Sequence, residues 1–322
     1  MKKLVSFLAI AVAVVAATQA YYQRQARQAV SPAERQELRD APADNSDLNG
    51  KDLKGVLSGL KESSNNSPAI QAGVVSNKKA NDPQAGKPGV PVEWVSITGG
   101  KFKMGTDDID YRDAKPIHEV AIKTFEMSKT PVTVEQYAEC VNQGQCTEPR
   151  GNDYCNWGKT GRQLHPVNCV NWEQANQYAK FKGARLPSES EWEYAARSAG
   201  KDRKYPWGDE EATCERAVIS QGGDGCGKNS TWPVCSKPQG NTEQGLCDMA
   251  GNVWQWVQDR YQSSYANAPT EGSAFEASGS LRVLRGGSWN LDAKFARSAY
   301  RLPDDPGARD ALLGLRLARS SR

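Results

Sequence analysis

Apolar positions fall into three unlike stretches along the chain. Leu4 to Ala17 is an apolar run, broken only by Ser6, behind Met1, Lys2 and Lys3, and it closes on Thr18, Gln19 and Ala20. From residue 21 to about 90 the pattern vanishes, with no aromatic residue between Tyr22 and Trp94. From Pro91 periodicity returns. Val92-Glu93-Trp94-Val95-Ser96-Ile97 alternates as a strand does, and Gly99-Gly100 turns the chain into Lys101-Phe102-Lys103-Met104. Three helices are predicted from their starts. Thr133 with Gln136 opens one to about Asn142, and Asn171 with Gln174 opens one that reaches Lys182 and stops at Gly183. Ser188 with Glu191 opens a third through Arg197, with Trp192, Ala195 and Ala196 on its apolar side. Its acidic run from Glu189 to Glu193 is expected to be mainly a solvated face, with Glu191 closing the cap. Trp254 and Trp256, at alternate positions, place both indoles on one face of an extended segment, where core packing is their expected role.

Composition sharpens this division. Hydrophobic residues make up 38% and mean hydropathy is −0.69, so part of the chain is expected not to pack. The middle stretch, rich in Ser, Asn, Asp, Lys, Gly and Pro, cannot bury enough apolar surface to offset chain entropy. Residues 21–90 are therefore expected to be a disordered polar linker. Only two short helices are expected there, one starting at Ser31-Pro32 with Glu34 and one over residues 51–61. Residues 1–20 read as a secretory signal peptide. The run is short for a bilayer span, which needs about 20 apolar residues; an uncleaved membrane anchor is the alternative.

With 41 basic and 38 acidic residues, a net +3, the balance gives no electrostatic case for nucleic acid. The eight cysteines are Cys140, Cys146, Cys155, Cys169, Cys214, Cys226, Cys235 and Cys247, and none precedes Cys140 to carry a lipid near the signal. An even count in an exported chain reads as disulfides. Zinc is the alternative, weakened by the lack of any C-x2-C pair. Connectivity is not readable from sequence; joining neighbours would give Cys140–Cys146, Cys155–Cys169, Cys214–Cys226 and Cys235–Cys247. Long loops pinned by disulfides around few elements imply one irregular α+β domain over residues 91–320.

Seven segments stand in one order: Ile97-Thr-Gly-Gly-Lys-Phe-Lys-Met-Gly105, His165-Pro-Val167, Arg185-Leu-Pro-Ser-Glu-Ser-Glu-Trp-Glu-Tyr-Ala-Ala-Arg197, Tyr205-Pro-Trp-Gly208, Gly251-Asn-Val-Trp-Gln-Trp256, Arg285-Gly-Gly-Ser-Trp289 and Gly314-Leu-Arg-Leu-Ala-Arg319. Together they resemble the formylglycine-generating-enzyme, or sulfatase-modifying-factor, family. The resemblance implies a loop-rich C-type-lectin-like α+β fold. It also implies Cu(I) on two thiolates, three residues after the serine of the Gly-Gly-Ser loop and five further on. Soft thiolates suit Cu(I), but those positions here are Leu291 and Ala296, so no copper is expected, nor iron. The family's oxygen-pocket positions fall on Trp254 and Ser288. Its calcium positions fall on Asp248, Gly251, Val253 and Gln255, and Gln255 stands where a carboxylate is expected, which weakens the site. A second calcium position carries Val218; Asp224 could substitute, or serve as a turn residue.

Arg285, Asp292 and Arg297 are the expected polar groups of the pocket near the former metal position, and Lys294 and Arg297 are able to hold an anion or to face solvent. The two histidines, His118 and His165, are a poor iron pair, and His165 before Pro166 reads as a structural loop residue. The expected function is a non-copper recognition module in the cell envelope, periplasmic or extracellular, with an unknown envelope protein or small ligand as partner. Membrane contact is expected only through the N-terminal segment if uncleaved. The alternative is an oxidoreductase of a divergent, siderophore-maturation type; formylglycine generation with displaced ligands ranks third.

Overall fold

Each of the three helix starts carries a reciprocal cap. Helix α1 (Val134–Asn142) begins with Thr133 and Gln136 exchanging side-chain and backbone hydrogen bonds, and α2 (Trp172–Phe181) repeats this with Asn171 and Gln174. Gly183 follows α2 in the left-handed region, at φ 62°. Helix α3 (Glu189–Ala196) is capped by Ser188 and Glu191 in the same way. The computed structural model describes residues 90–277 and 279–321. The expected signal peptide, and the linker with its two short helices up to residue 89, lie outside the described residues.

Strand β1 (Trp94–Ile97) and β2 (Gly100–Met104) follow one another but do not pair. Strand β2 pairs antiparallel with β3 (His118–Ile122), while β1 pairs with β4 (Phe125–Ser128). Gly99 switches the chain between the two sheets at close quarters: a Cβ there would stand 2.3 Å from the Ile122 carbonyl oxygen. Strand β9 (Ala318–Ser320) returns the end of the chain to β4. The remaining sheet has the order β7-β6-β5-β8. It comprises β5 (Trp254–Arg260), β6 (Arg282–Arg285), β7 (Arg301–Asp304) and β8 (Leu313–Leu315), with β8 parallel to β5. Trp254 and Trp256 are both fully buried in one apolar cluster with α1, α2 and β8 residues. Four disulfides tie sequence neighbours: Cys140–Cys146 joins the end of α1 to the loop after it, and Cys155–Cys169, Cys214–Cys226 and Cys235–Cys247 lie within the irregular segments.

Helix α3 departs from its expected solvated face. Every residue in it is buried, and Glu189 and Glu193 are only 2% and 0% exposed. Glu193 accepts from Gly105 N and Arg197 Nε, both at 2.9 Å, and pairs with Arg285. Glu189 accepts from Arg301 Nε at 2.6 Å and Nη2 at 2.8 Å, and from the Tyr265 hydroxyl at 3.1 Å. Arginines distant in sequence make these carboxylates interior groups, and helical periodicity carries no sign of such partners. Glu191 closes the cap and also receives Arg185 in a two-pronged pair at 2.6 and 2.7 Å.

A third carboxylate completes the start of α3. Asp259 accepts from Glu189 N at 2.6 Å and from Phe275 N at 2.8 Å. Burial, then the nearby Glu189 charge, pushes Asp259 up to about 7. Burial likewise lifts Asp304 to about 7, helped by Asp310 and Asp305. Burial also pushes Glu189 upward, but Arg301 and Arg285 outweigh it and hold Glu189 below its ordinary value.

Two outcomes follow from this interior. Arg285→Met leaves the buried Glu193 with Arg197 alone and takes one cation from Glu189, and should cost about 3 kcal/mol in urea denaturation at neutral pH; a loss under about 1 kcal/mol would show the pair to be dispensable. The second concerns pH. Asp304 is protonated more readily folded than unfolded, where 3.8 is its ordinary value. Its stabilising contribution is therefore full below about pH 4 and lost as pH rises through about 7. Melting temperature should fall between about pH 4 and pH 7, and Asp304→Asn should flatten that fall.

Candidate functional site

The loop after β6 is shaped by two consecutive left-handed glycines, Gly286 (φ 98°) and Gly287 (φ 76°). A Cβ on Gly286 would stand 3.0 Å from the Trp192 ring, and one on Gly287 would stand 2.9 Å from the Phe295 carbonyl oxygen. The loop thus lies between α3 and the short 3-10 turn Ala293–Ala296. Arg285 fixes its start by donating to the carbonyls of Ser298, Ala299 and Tyr300 at 2.8, 3.2 and 2.8 Å. Ser288 is fully buried and donates to Asn290 Oδ1 at 3.0 Å.

Leu291 and Ala296 are 8% and 1% exposed. Leu291 packs in the main apolar cluster, Ala296 in a smaller one with Tyr205 and Ile219. Two aliphatic side chains offer no lone pair, so this site does not fit copper. Trp254 is also fully buried, its ring 5.9 Å from that of Tyr300. Its indole N–H has no hydrogen-bond partner among the described residues.

The calcium positions are drawn together but are already committed. Gln255 donates through Nε2 to the Asp248 carbonyl at 2.7 Å. Its Oε1 accepts from Trp192 Nε1 and from Arg316 Nε, both at 2.8 Å. The Arg316 guanidinium, fully buried, also donates to the carbonyls of Ser128, Lys129, Cys247 and Asp248. Asp248 accepts from Cys235 N at 2.8 Å, and burial pushes its carboxyl upward. Gly251 and Val253 are buried backbone beside it. A guanidinium held on these oxygens leaves the set a poor fit for a cation. Asp224 takes the Ser220 hydroxyl at 2.7 Å and its own carbonyl accepts from Asn229 N at 2.7 Å, which is turn geometry.

The two histidines serve separate segments. His165 is buried and hydrogen-bonded through Nδ1 to Thr231 Oγ1 at 2.9 Å. Burial, then Arg162 and Lys228, pulls it down to about 4, so it stays neutral. His118 lies in β3 with Nδ1 3.2 Å from the Pro116 carbonyl.

Arg297, one residue beyond Ala296, opens onto a cleft of about 320 Å³ that neither Trp254, Ser288, Arg285 nor Asp292 lines. Arg285 lies beneath the loop and Asp292 is exposed, and neither borders this cleft. The cleft is lined instead by Asp108, Tyr111, Arg197, Lys204, Asp209 and Arg297, among others. Arg297 Nη1 donates to Asp108 Oδ2 at 2.9 Å, and its guanidinium lies 5.6 Å from the centre of the Tyr111 ring. Arg297 Nε has no partner among the described residues. Arg197, locked by Glu193, the Gly105 carbonyl and the Arg203 carbonyl, forms a fixed wall. Sequence reading found Arg297 and missed the others. The one available signal was Thr106-Asp107-Asp108, a polar run directly after the first quoted segment.

Comparison with known proteins agrees with this architecture. The sulfatase-modifying factor enzyme 1-like domain matches residues 79–321. The chain is 31% identical over 284 residues to the formylglycine-generating enzyme of Streptomyces coelicolor, covering 70% of this chain and 88% of that protein. It is 35% identical over 248 residues to the serine/threonine-protein kinase Pkn1 of Chlamydia trachomatis, covering 70% of this chain but only 38% of the kinase. The structure of PvdO from Pseudomonas aeruginosa superposes with a TM-score of 0.62 at 29% identity, covering 74% of this chain and 100% of that one. With the motifs, the fold and the match in agreement, the chain belongs to the sulfatase-modifying factor enzyme 1-like domain family.

Proposed function

We propose that this protein is a copper-free member of its family, exported to the cell envelope, that recognises a small ligand carrying both charges in the Asp108–Arg297 cleft. The observation that carries the reading is the pair Leu291 and Ala296, buried aliphatic groups where the family's chemistry asks for thiolates. Beside them the chain keeps an open cleft with cationic and anionic walls. Arg297 offers a half-buried guanidinium, Lys204 an exposed ammonium, and Asp209 an exposed carboxylate. Such a surface suits a zwitterion, an amino acid or a short peptide, better than an ion of one sign. Four disulfides suit an oxidising compartment. No helix among the described residues is long and apolar enough to cross a membrane.

A second reading is a copper-independent oxidation of the siderophore-maturation type. One observation favours it: the buried, unpartnered Trp254 N–H, a donor in search of an acceptor.

The full chain tests both. Incubated with Cu(I) under reducing conditions and desalted, it should retain no stoichiometric copper and should leave the cysteine of a sulfatase-derived peptide unchanged. Bound copper would overturn the assignment. Calorimetric titration with a panel of amino acids and short peptides should find a ligand whose affinity drops about tenfold, or 1.4 kcal/mol, in Arg297→Glu. Dioxygen uptake coupled to oxidation of a ligand by the metal-free protein, lost in Trp254→Phe, would favour the second reading.

A further inference from the structure

Away from the cleft, three segments bring four cations onto one face. Lys228 and Lys237 both stand over the Trp232 ring, their ammonium nitrogens 3.7 and 4.0 Å from its centre. Arg162 Nη1 reaches the same region, donating to Ser230 Oγ and the Thr231 carbonyl, each at 3.3 Å. Lys159 lies one turn earlier and donates to the Asp153 carbonyl. None of the ion pairs formed among the described residues involves Lys159, Arg162, Lys228 or Lys237. Elsewhere the chain pairs its cations readily, with Lys101, Lys129, Lys182 and Lys201 each meeting a glutamate.

The grouping is held in place by the fold. Cys155–Cys169 closes the segment carrying Lys159 and Arg162, Cys235–Cys247 anchors the segment of Lys237, and Cys214–Cys226 ends just before Lys228. The Val234 N–H donates to the Leu164 carbonyl at 2.9 Å and stitches two of these segments together. Trp232 itself is fixed by its indole N–H on the Gly225 carbonyl at 2.9 Å. The like charges act on each other: burial and then Lys228 hold Lys237 below its ordinary value, and burial and then Arg162 do the same to Lys159. Asp153 stands beside Lys159, but the four cations, none of them in an ion pair among the described residues, outweigh it; cations gathered on rigid segments raise the local potential and concentrate anions.

We propose that this face, Lys159, Arg162, Lys228 and Lys237 around Trp232, binds an anionic polymer whose repeats carry tetrahedral oxyanions, phosphate or sulfate. A polymer fits better than a single ion, because the four cations spread over three segments of an open surface. Each charge then meets a different repeat, and counterion release makes the binding salt-dependent. The face is independent of the Asp108–Arg297 cleft, and neither proposal rests on the other.

The test uses the full chain with linear polyphosphate and with heparin, titrated between about 50 and 300 mM salt. Affinity for at least one should fall steeply with salt. Lys228→Glu/Lys237→Glu should weaken it at least about tenfold and flatten the salt slope by about two charges' worth. The control Lys103→Glu/Lys123→Glu makes the same change in net charge on other exposed lysines and should stay within about twofold of wild type. Matching far-ultraviolet spectra and melting temperatures keep misfolding apart from loss of binding. Preference for polyphosphate assigns phosphate as the repeat; preference for heparin assigns sulfate. Equal weakening in the control, no binding by wild type, or equal affinity for orthophosphate would overturn the proposal. A single-stranded oligonucleotide bound as tightly as either polymer would overturn the choice of partner.

Discussion

The Arg285 guanidinium, with no exposed surface, bridges α3 to the irregular chain beyond β6. On one side it meets Glu193 and, at 3.5 Å, Glu189; on the other it donates to three successive carbonyls, Ser298 to Tyr300. Two buried carboxylates are tolerable only because three arginines face them, and the arginines only because the carboxylates and carbonyls receive their donors. The Gly286-Gly287 loop inherits its position from this exchange, and through it so do Ser288, Leu291 and the turn before Arg297. Breaking the pair would leave a charge in the interior and release the segment that walls the cleft.

Much of the scaffold was legible in the sequence. Thr133, Asn171 and Ser188 each announce a helix with a partner three residues on, because a capping box is a local interaction written in four consecutive positions. Glu189 and Glu193 were misread as solvated because their partners, Arg301 and Arg285, lie about ninety or more residues downstream; nothing within the helix distinguishes a paired interior carboxylate from a surface one. Strands β1 and β2 were readable as strands, yet their assignment to different sheets depends on β3 and β4, which the turn at Gly99 does not encode. At the site, Arg297 was legible by its place after Ala296. Asp108, Lys204 and Asp209 were not, since they converge on it only through the fold.

Gln255 illustrates how one substitution propagates. Its neutral side chain donates to the Asp248 carbonyl and accepts from both Trp192 and Arg316. A carboxylate at that position could not donate; an amide can, and so it links loop, helix and guanidinium at once. Arg316 then occupies the carbonyls of Cys247 and Asp248. A buried guanidinium and a neutral amide thus hold the loop at Asp248 together.

The same logic explains how so irregular a chain keeps a shape at all. Backbone outside helices and sheets carries carbonyls that need donors once buried. Arg285, Arg301 and Arg316 supply them: Arg301 donates to the Asp113 and Gln262 carbonyls, and Arg316 to four more. A guanidinium offers five N–H groups in a fixed plane, so one side chain can order several loop strands that share no ladder. Disulfides restrict the outer loops in parallel, by limiting what the unfolded chain can explore. With the interior fixed in this way, the surface loops are free to carry different chemistry. A cleft with both charges can stand beside one set of loops and an unpaired cationic face beside another, without either disturbing the core that holds them.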